Sequence, residues 1–228
     1  VQASARIIVL GKQGAGKGTQ CVRLSHRYVV PHIATGDMLR AAVKSGTSLG
    51  KEAKRFMDAG ELVPDEVLLK MVSERFDQDD TRLRGFILDG FPRTVVQSEK
   101  LDEMMTPTEI DVVVNLEVPT ETVLGRLAAR RVCVDCGTNY STSSMPRIDS
   151  ICDVCGGEVV QREDDTEAAI RRRLDLYEAQ TAPLISRYDE QGKLVTVDGD
   201  GRLDDVTERL SEAIDPMLEA ANGPEAQE

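Results

Sequence analysis

The sequence predicts an α/β fold: a five-stranded parallel sheet flanked by helices and interrupted by two insertions. Three observations lead there. Short β-branched apolar runs alternate with helical stretches along the chain. Those runs are unbroken rather than alternating with polar residues, as strands covered on both faces are. Two segments, 35–64 and 127–164, depart from the alternation.

The elements follow in order. "RIIVLG" (6–11) reads as the first strand, ending in a glycine loop that feeds a helical pattern from Lys17 to Tyr28. "VVPHI" (29–33) is a weaker second strand. Residues 35–64 hold two short helices with no strand between them. Helical stretches Asp65 to Phe76, Val95 to Met105 and Thr120 to Arg130 alternate with the runs "GFILD" (85–89) and "DVVVNL" (111–116). Residues 127–164 carry cysteines, turn residues and short polar runs, and read as a small β-rich insertion. A helix from Glu167 to Tyr188 leads to the last strand, "KLVTVD" (193–198), and the polar tail "AANGPEAQE" (220–228) is expected to fray. The core then comprises 1–34, 65–126 and 165–228, with ligands at the carboxyl ends of its strands.

The bulk numbers restrict the function classes. The chain has 228 residues, 40% hydrophobic and 30% charged, enough for one large domain with a packed core. No apolar run approaches a membrane span, and Val1 to Leu10 is too short and too soon interrupted for a signal peptide. A net charge of −12 disfavours generic binding to nucleic acid or anionic lipid. A polyanion site must therefore be built from locally gathered basic groups. Five cysteines without a secretion signal argue against a disulfide framework and for the cytoplasm.

"GKQGAGKGT" (11–19) sits between strand and helix, with Gly11, four residues, then Gly16-Lys17. Glycines let backbone N–H groups turn inward around an anion, and the helix N-terminus adds partial positive charge. Lys17 can reach outer phosphates; the hydroxyl suited to Mg²⁺ comes at Thr19, since Gly18 follows the lysine. The pattern points to nucleotide phosphate without naming a reaction.

Arginines stand where a phosphoryl group would need charge around it. Arg40 follows the second strand in "TGDMLR", and "LDGFPRT" (88–94) puts Asp89 at a strand end and Arg93 in the next turn. Arg126, Arg130 and Arg131 lead into the cysteine insertion, and Arg162 and Arg173 flank its far side. Asp89 is placed to order Mg²⁺ through water. His26 and His32 lack a partner pattern and read as structural.

The cysteines follow Cys133-x2-Cys136-x15-Cys152-x2-Cys155, with Gly137 and Gly156 after the pairs. The spacing suits a four-thiolate zinc site, with iron as the alternative ion. Four protein ligands leave no open position, so the metal would be structural. Cys21, on the first helix, reads as a packed core thiol.

"GAGKGTQ", "TGDMLR", "GELVPDE", "ILDGFPRT", "RREDDTEAAIRRRL" and "YEAQTAPLI" together resemble the successive signatures of adenylate kinase in its long-lid form, across nearly the whole chain. The resemblance implies a P-loop NTPase core, an AMP-binding insertion (35–64) and a lid (127–164), with Mg²⁺ accompanying ATP and zinc holding the lid. It implies that Gly14, Ala15, Gly16, Lys17, Gly18 and Thr19 hold the ATP phosphates. Arg126 would stack on the ATP base, Asn139 and Tyr140 would touch ATP from the lid, and Gly201 would offer a backbone contact to adenine. Thr35, Arg40, Glu61, Leu62 and Val63 would line the AMP pocket. Gly90, Phe91, Pro92 and Arg93 would contact the AMP phosphate, and Gln97 the adenine edge. Lys17, Asp89, Arg93, Arg130, Arg162 and Arg173 would serve the transfer, with Asp164 and Asp165 as hinge acids. Gln13 departs from the family, standing where proline is usual, and Gly201 stands where some members have lysine.

The implied partners are ATP, AMP and ADP, with neither nucleic acid nor membrane, and a monomer as working unit. Two other readings compete. One is a kinase acting on UMP or CMP; the other is a zinc-ribbon nucleic-acid binder with a nucleotide switch, which the acidic charge and the lack of an aromatic platform disfavour.

Overall fold

The computed structural model describes residues 4–162, 165–221 and 223. The first half runs β1 (Ala5–Leu10), α1 (Lys17–Tyr28), β2 (His32–Ala34), α2 (Thr35–Lys44), α3 (Ser48–Ala59), α4 (Asp65–Phe76), α5 (Asp79–Arg84), β3 (Gly85–Asp89) and α6 (Val95–Met105). The second half runs β4 (Val112–Glu117), α7 (Thr120–Ala129), β5 (Arg130–Cys133), β6 (Asn139–Ser141), β7 (Val159–Val160), α8 (Glu167–Leu176), α9 (Pro183–Glu190), β8 (Leu194–Asp198) and α10 (Leu203–Ala221).

Five strands make a parallel sheet in the order β2-β3-β1-β4-β8, as the unbroken apolar runs predict. Successive residues of β1 point to opposite faces. Ile7 and Val9 pack with Leu24 of α1 and with Leu210 and Ile214 of α10. Ile8 and Leu10 pack on the other side with Leu101, Leu184 and Tyr188. The four β1 side chains are at most 3% exposed, each worth about 1.5–3 kcal/mol on burial. Both faces of the sheet are therefore occupied, and its carboxyl edge is left for a ligand. There β1 hands over to the glycine loop, and the pairing of Val9 and Ala34 with Asp89 aligns the ends of β1, β2 and β3.

Several boundaries differ from the sequence expectation. The second strand begins at His32, because Val29 takes a left-handed conformation (φ 56°) that ends α1, and Pro31 follows it. The helix expected over 167–188 is divided. Tyr177–Thr181 form a π-helical turn, in which the Ala182 N–H bonds back five residues to the Tyr177 carbonyl at 2.8 Å, and α9 restarts at Pro183. A proline has no N–H and its ring crowds the preceding turn, so the α-helical ladder loses a bond at Pro183, where the π-helical turn ends. The helices α5 and α10 add to those named from the sequence. Of the tail expected to fray, α10 takes residues to Ala221, while 222 and 224–228 lie outside the described residues.

Segment 35–64 contains α2 and α3 with no strand between them. The cysteine segment forms a separate antiparallel sheet, β6-β5-β7. Its buried apolar cluster consists of Cys133, Cys152 and Val159, with Tyr140 packed against them. So small a cluster does not supply the free energy that usually holds a domain. No helix among the described residues is long and apolar enough to cross a membrane.

Candidate active site

The glycine loop bends between β1 and α1 with Gly14 at φ 84° and Gly16 at φ 103°. A Cβ on Gly14 would sit 2.8 Å from Leu127 Cγ, so the loop can lie against α7 only with glycine there. No side chain caps the α1 N-terminus and its first turn holds no acid, leaving its N–H groups and partial positive charge for an anion. Lys17 Nζ donates to the carbonyls of Gly11 at 2.7 Å and Lys12 at 3.0 Å. Burial lowers the Lys17 pKa, and the Asp89 carboxylate opposes that shift.

This loop forms one wall of a cleft of about 1630 Å³. Lys17, Asp89, Arg93, Arg130, Arg162 and Arg173 all line it, although they come from distant parts of the sequence. Arg93 Nε donates to the Gly90 carbonyl at 2.8 Å, and its own carbonyl accepts from Thr181 Oγ1 at 2.9 Å. Burial lowers the Arg93 pKa, with the like charge of Arg173 acting the same way. Burial raises the Asp89 carboxyl, but His32, Lys17 and Arg93 more than offset it and hold it below the usual range.

Asp165 gathers the other cations. Its side chain is 0% exposed, and it accepts from Arg130 Nε at 2.7 Å and from Arg130 Nη2 at 2.5 Å. Arg173 Nη1 lies 3.8 Å from it, and Gln13 Nε2 donates to it at 3.4 Å. Arg173 also donates to the Met57 carbonyl at 3.0 Å, and Arg172 pairs with Glu61, so α8 is tied to the two-helix segment. Asp164 lies outside the described residues.

The remaining expected site residues divide between cleft and core. Gly14, Gly16, Gly18, Thr19, Arg126, Asn139 and Tyr140 line the cleft. So do Thr35, Arg40, Glu61, Leu62, Val63, Gly90 and Pro92. Thr35 Oγ1 donates to the Gly90 carbonyl at 3.0 Å, Arg40 pairs with Asp37, and Arg126 bonds the carbonyls of Ala15 and Gly199. Ala15, Phe91, Gln97 and Gly201 do not line it. Ala15 and Phe91 are packed into the core. Gln97 is fully buried: its Oε1 accepts from the Arg93 N–H at 2.7 Å and its Nε2 donates to Asp65 at 2.6 Å.

Two contacts had no signal in the sequence. Lys44 at the end of α2 donates to Asp135 Oδ1 at 2.9 Å and to the Val134 carbonyl at 3.2 Å, joining the two-helix segment to the first cysteine turn. Gln13 reaches Asp165 across 152 residues of chain. Neither pairing belongs to a local pattern.

The four sulfurs of Cys133, Cys136, Cys152 and Cys155 lie within 4.8 Å of one another, and none is in a disulfide. Cys133 and Cys155 are separated by 3.4 Å and Cys136 and Cys152 by 3.6 Å. Ligands about 2.3 Å from a tetrahedral ion stand about 3.8 Å apart, close to these two separations, so the set suits a metal ion. The N–H groups of Val154 and Gly157 face the sulfurs of Cys152 and Cys155 at 3.4 Å each. The Tyr140 hydroxyl accepts from the Asp153 N–H at 2.8 Å and lies 3.4 Å from Cys152, whose thiol pKa it lowers, while the neighbouring thiols raise that of Cys155. Such support for thiolate is what a metal ligand needs. Cys133 and Cys136 also line the cleft, so the cysteine turns adjoin the site.

A family model described as adenylate kinase matches residues 9–193. The adenylate kinase of Thermodesulfovibrio yellowstonii is 52% identical over 204 residues, covering 88% of this chain and 94% of that protein. That of Acetivibrio thermocellus is 47% identical over 212 residues, covering 92% and 97% respectively. That of Methanosarcina acetivorans is 51% identical over 207 residues, covering 90% and 95%. With the phosphate loop, the arginine-lined cleft and these likenesses extending over most of its length, the chain belongs to the adenylate kinase family.

Proposed function

We propose that the protein catalyses reversible, Mg²⁺-dependent phosphoryl transfer from ATP to AMP, giving two ADP. One observation carries the reading: a chain of net charge −12 gathers Lys17, Arg93, Arg130, Arg162 and Arg173 around one cleft. Concentrated cations in a net-acidic protein suit a transition state whose charge is spread over several phosphate oxygens.

In this reading an AMP phosphate oxygen attacks the γ-phosphorus of ATP in line. The new P–O bond forms as the bond to the β,γ-bridging oxygen breaks, and ADP leaves with that electron pair. The nucleophile is already anionic, so no general base is required; positioning, charge and exclusion of water supply the rate. Lys17 and the α1 N-terminus hold the ATP phosphates. Arg93 orients the AMP phosphate, and Arg130, Arg162 and Arg173 neutralise the group in transit. Thr19 and Asp89 are the residues that would hold the Mg²⁺ accompanying ATP, and the ion would supply positive charge to the phosphates. Residues 35–64 serve as the AMP-binding insertion and 127–164 as the lid, within core boundaries 1–34, 65–126 and 165–228.

Zinc is the ion proposed for the four cysteines. Because the thiolates fill every position, it stiffens the lid and takes no part in the chemistry. The cleft is complete within one chain, which supports a monomer as the working unit, and the reducing cytoplasm suits the free thiols.

A coupled assay of ADP formation from ATP and AMP, with and without Mg²⁺, tests the reading. AMP replaced by UMP or CMP should give far slower turnover. Equal or faster turnover with either pyrimidine would overturn the assignment of AMP.

A further inference from the structure

Beneath the phosphate loop stands a second set of metal-ligating atoms. Cys21 Sγ, His32 Nε2 and a carboxylate oxygen of Asp89 lie within 4.8 Å of one another. They come from α1, the start of β2 and the end of β3, and strand register holds the latter two in place. Cys21 is 0% exposed. His32 Nε2 is buried and has no hydrogen-bond partner among the described residues. Its nearest acid oxygen, Asp89 Oδ2, is 3.5 Å away, beyond the range of a good hydrogen bond. A buried nitrogen held only by this long contact has room for a further partner, and it faces a thiol and a carboxylate.

We propose that Cys21, His32 and Asp89 form a binding site for a thiophilic divalent cation such as Zn²⁺ or Cd²⁺, separate from the four-cysteine site, and that its occupancy inhibits the enzyme. Thiolate, imidazole and carboxylate are the donor types such ions take, and three of them leave a fourth position for water. Bonds of about 2.0–2.3 Å place ligand atoms about 3.3–3.8 Å apart, so the set must contract by about 1 Å. The balance is simple. The Cys21 thiol gives its proton to solvent, a sulfur–metal bond forms, and the thiolate and carboxylate together neutralise the ion, with no change of oxidation state. Mg²⁺ prefers oxygen donors and keeps its waters, so the thiol selects against the metal that accompanies ATP.

The ion has a way in. His32 and Asp89 line the main cleft, and His32 also lines a second cavity of about 310 Å³ beside His26 and Asp80. Occupancy would withdraw Asp89 from Mg²⁺-bound water and cancel the negative charge that it presents to Lys17. The inhibitory half of the proposal rests on the roles proposed above for Lys17 and Asp89; the binding half does not.

The test is to titrate Cd²⁺ into the zinc-loaded enzyme without nucleotide, following equilibrium dialysis and thiolate-to-metal charge-transfer absorption, then to measure turnover at each loading. One further equivalent should bind, with new thiolate absorption and at least about a 10-fold loss of turnover. Cys21→Ser, Cys21→Ala and His32→Asn should each weaken that binding at least about 10-fold and relieve the inhibition, while retaining turnover in Mg²⁺ buffer without added Cd²⁺. Circular dichroism and the melting temperature identify any variant that fails to fold, and the three substitutions act at two positions. No additional equivalent, or undiminished binding in folded Cys21 and His32 variants, would overturn the site. Binding without inhibition would overturn the inhibitory half and count against the roles given to Lys17 and Asp89.

Discussion

Arg130 and Asp165 form a two-pronged ion pair at the root of the cysteine segment, with Nε and Nη2 of the arginine on the two carboxylate oxygens. Arg130 is the first residue of β5, and Asp165 lies just before α8, so the pair joins the two ends of the cysteine segment. The Asp165 side chain is 0% exposed and those of Arg130 and Arg173 are 16% and 15% exposed.

Asp165→Asn removes the one carboxylate found between these guanidiniums among the described residues. Two poorly solvated cations would then face each other without it, which should cost about 3 kcal/mol of stability. For a chain of this size that corresponds to a fall of about 6–12 °C in Tm, and the nucleotide KM should rise as both arginines lose their fixed positions. Calorimetry and steady-state kinetics read the two effects. An unchanged Tm would remove Asp165 as the organiser of the arginines.

Arg93 is held by its Nε bond to the Gly90 carbonyl, by the Gln97 carboxamide on its N–H and by Thr181 on its carbonyl. Its backbone is thus anchored independently of its guanidinium. Arg93→Ala should lower kcat by about 100- to 1,000-fold while the fold survives. Arg93→Lys should restore little, because an ammonium cannot offer a planar pair of donors. Near-normal turnover in a folded Arg93→Ala enzyme would take Arg93 out of the reaction.

The parts legible in the sequence were those written in local spacing. The glycine loop, the turn after β3 and the two cysteine pairs each fall within about ten residues, and each appears where its pattern puts it. Five parallel strands followed from apolar runs for the same reason. What escaped depends on long-range approach. Nothing near Gln13 announces Asp165, and nothing near Lys44 announces Asp135, 91 residues away. Gln97 and Phe91 show a related limit: a motif locates a residue in the chain, while packing against α4 and the core decides which way it faces. The π-helical turn before Pro183 was hidden because apolar positions continue on either side of it.

Lys44 and Asp135 tie the two-helix segment to the cysteine segment across the cleft, with side chains 65% and 55% exposed. So exposed a pair is weak and screened by salt. Lys44→Ala should therefore raise the KM for both nucleotides by no more than about fivefold, and 1 M salt should bring the unmodified enzyme toward the variant. Faster product release in stopped-flow traces would accompany it if lid opening limits turnover. A variant with unchanged KM at low salt would show that the pair does not hold the cleft closed.

The four-cysteine site offers the clearest separation of a structural metal from a catalytic one. The cysteine segment, proposed above as the lid, has a buried apolar cluster too small to fold it alone, so the proposed metal should supply most of its folding free energy. Removing the ion with a strong chelator, or substituting Cys155→Ser, should melt the lid at lower temperature than the parallel-sheet core. Turnover should fall and the KM for ATP should rise, because Asn139, Tyr140 and Arg130 ride on that sheet. Mg²⁺-dependent transfer should nevertheless persist, since no open metal position touches substrate. Complete loss of transfer with ATP affinity unchanged would instead mark the ion as catalytic. A melting curve indifferent to the chelator, together with elemental analysis showing no bound metal, would remove it from the lid altogether.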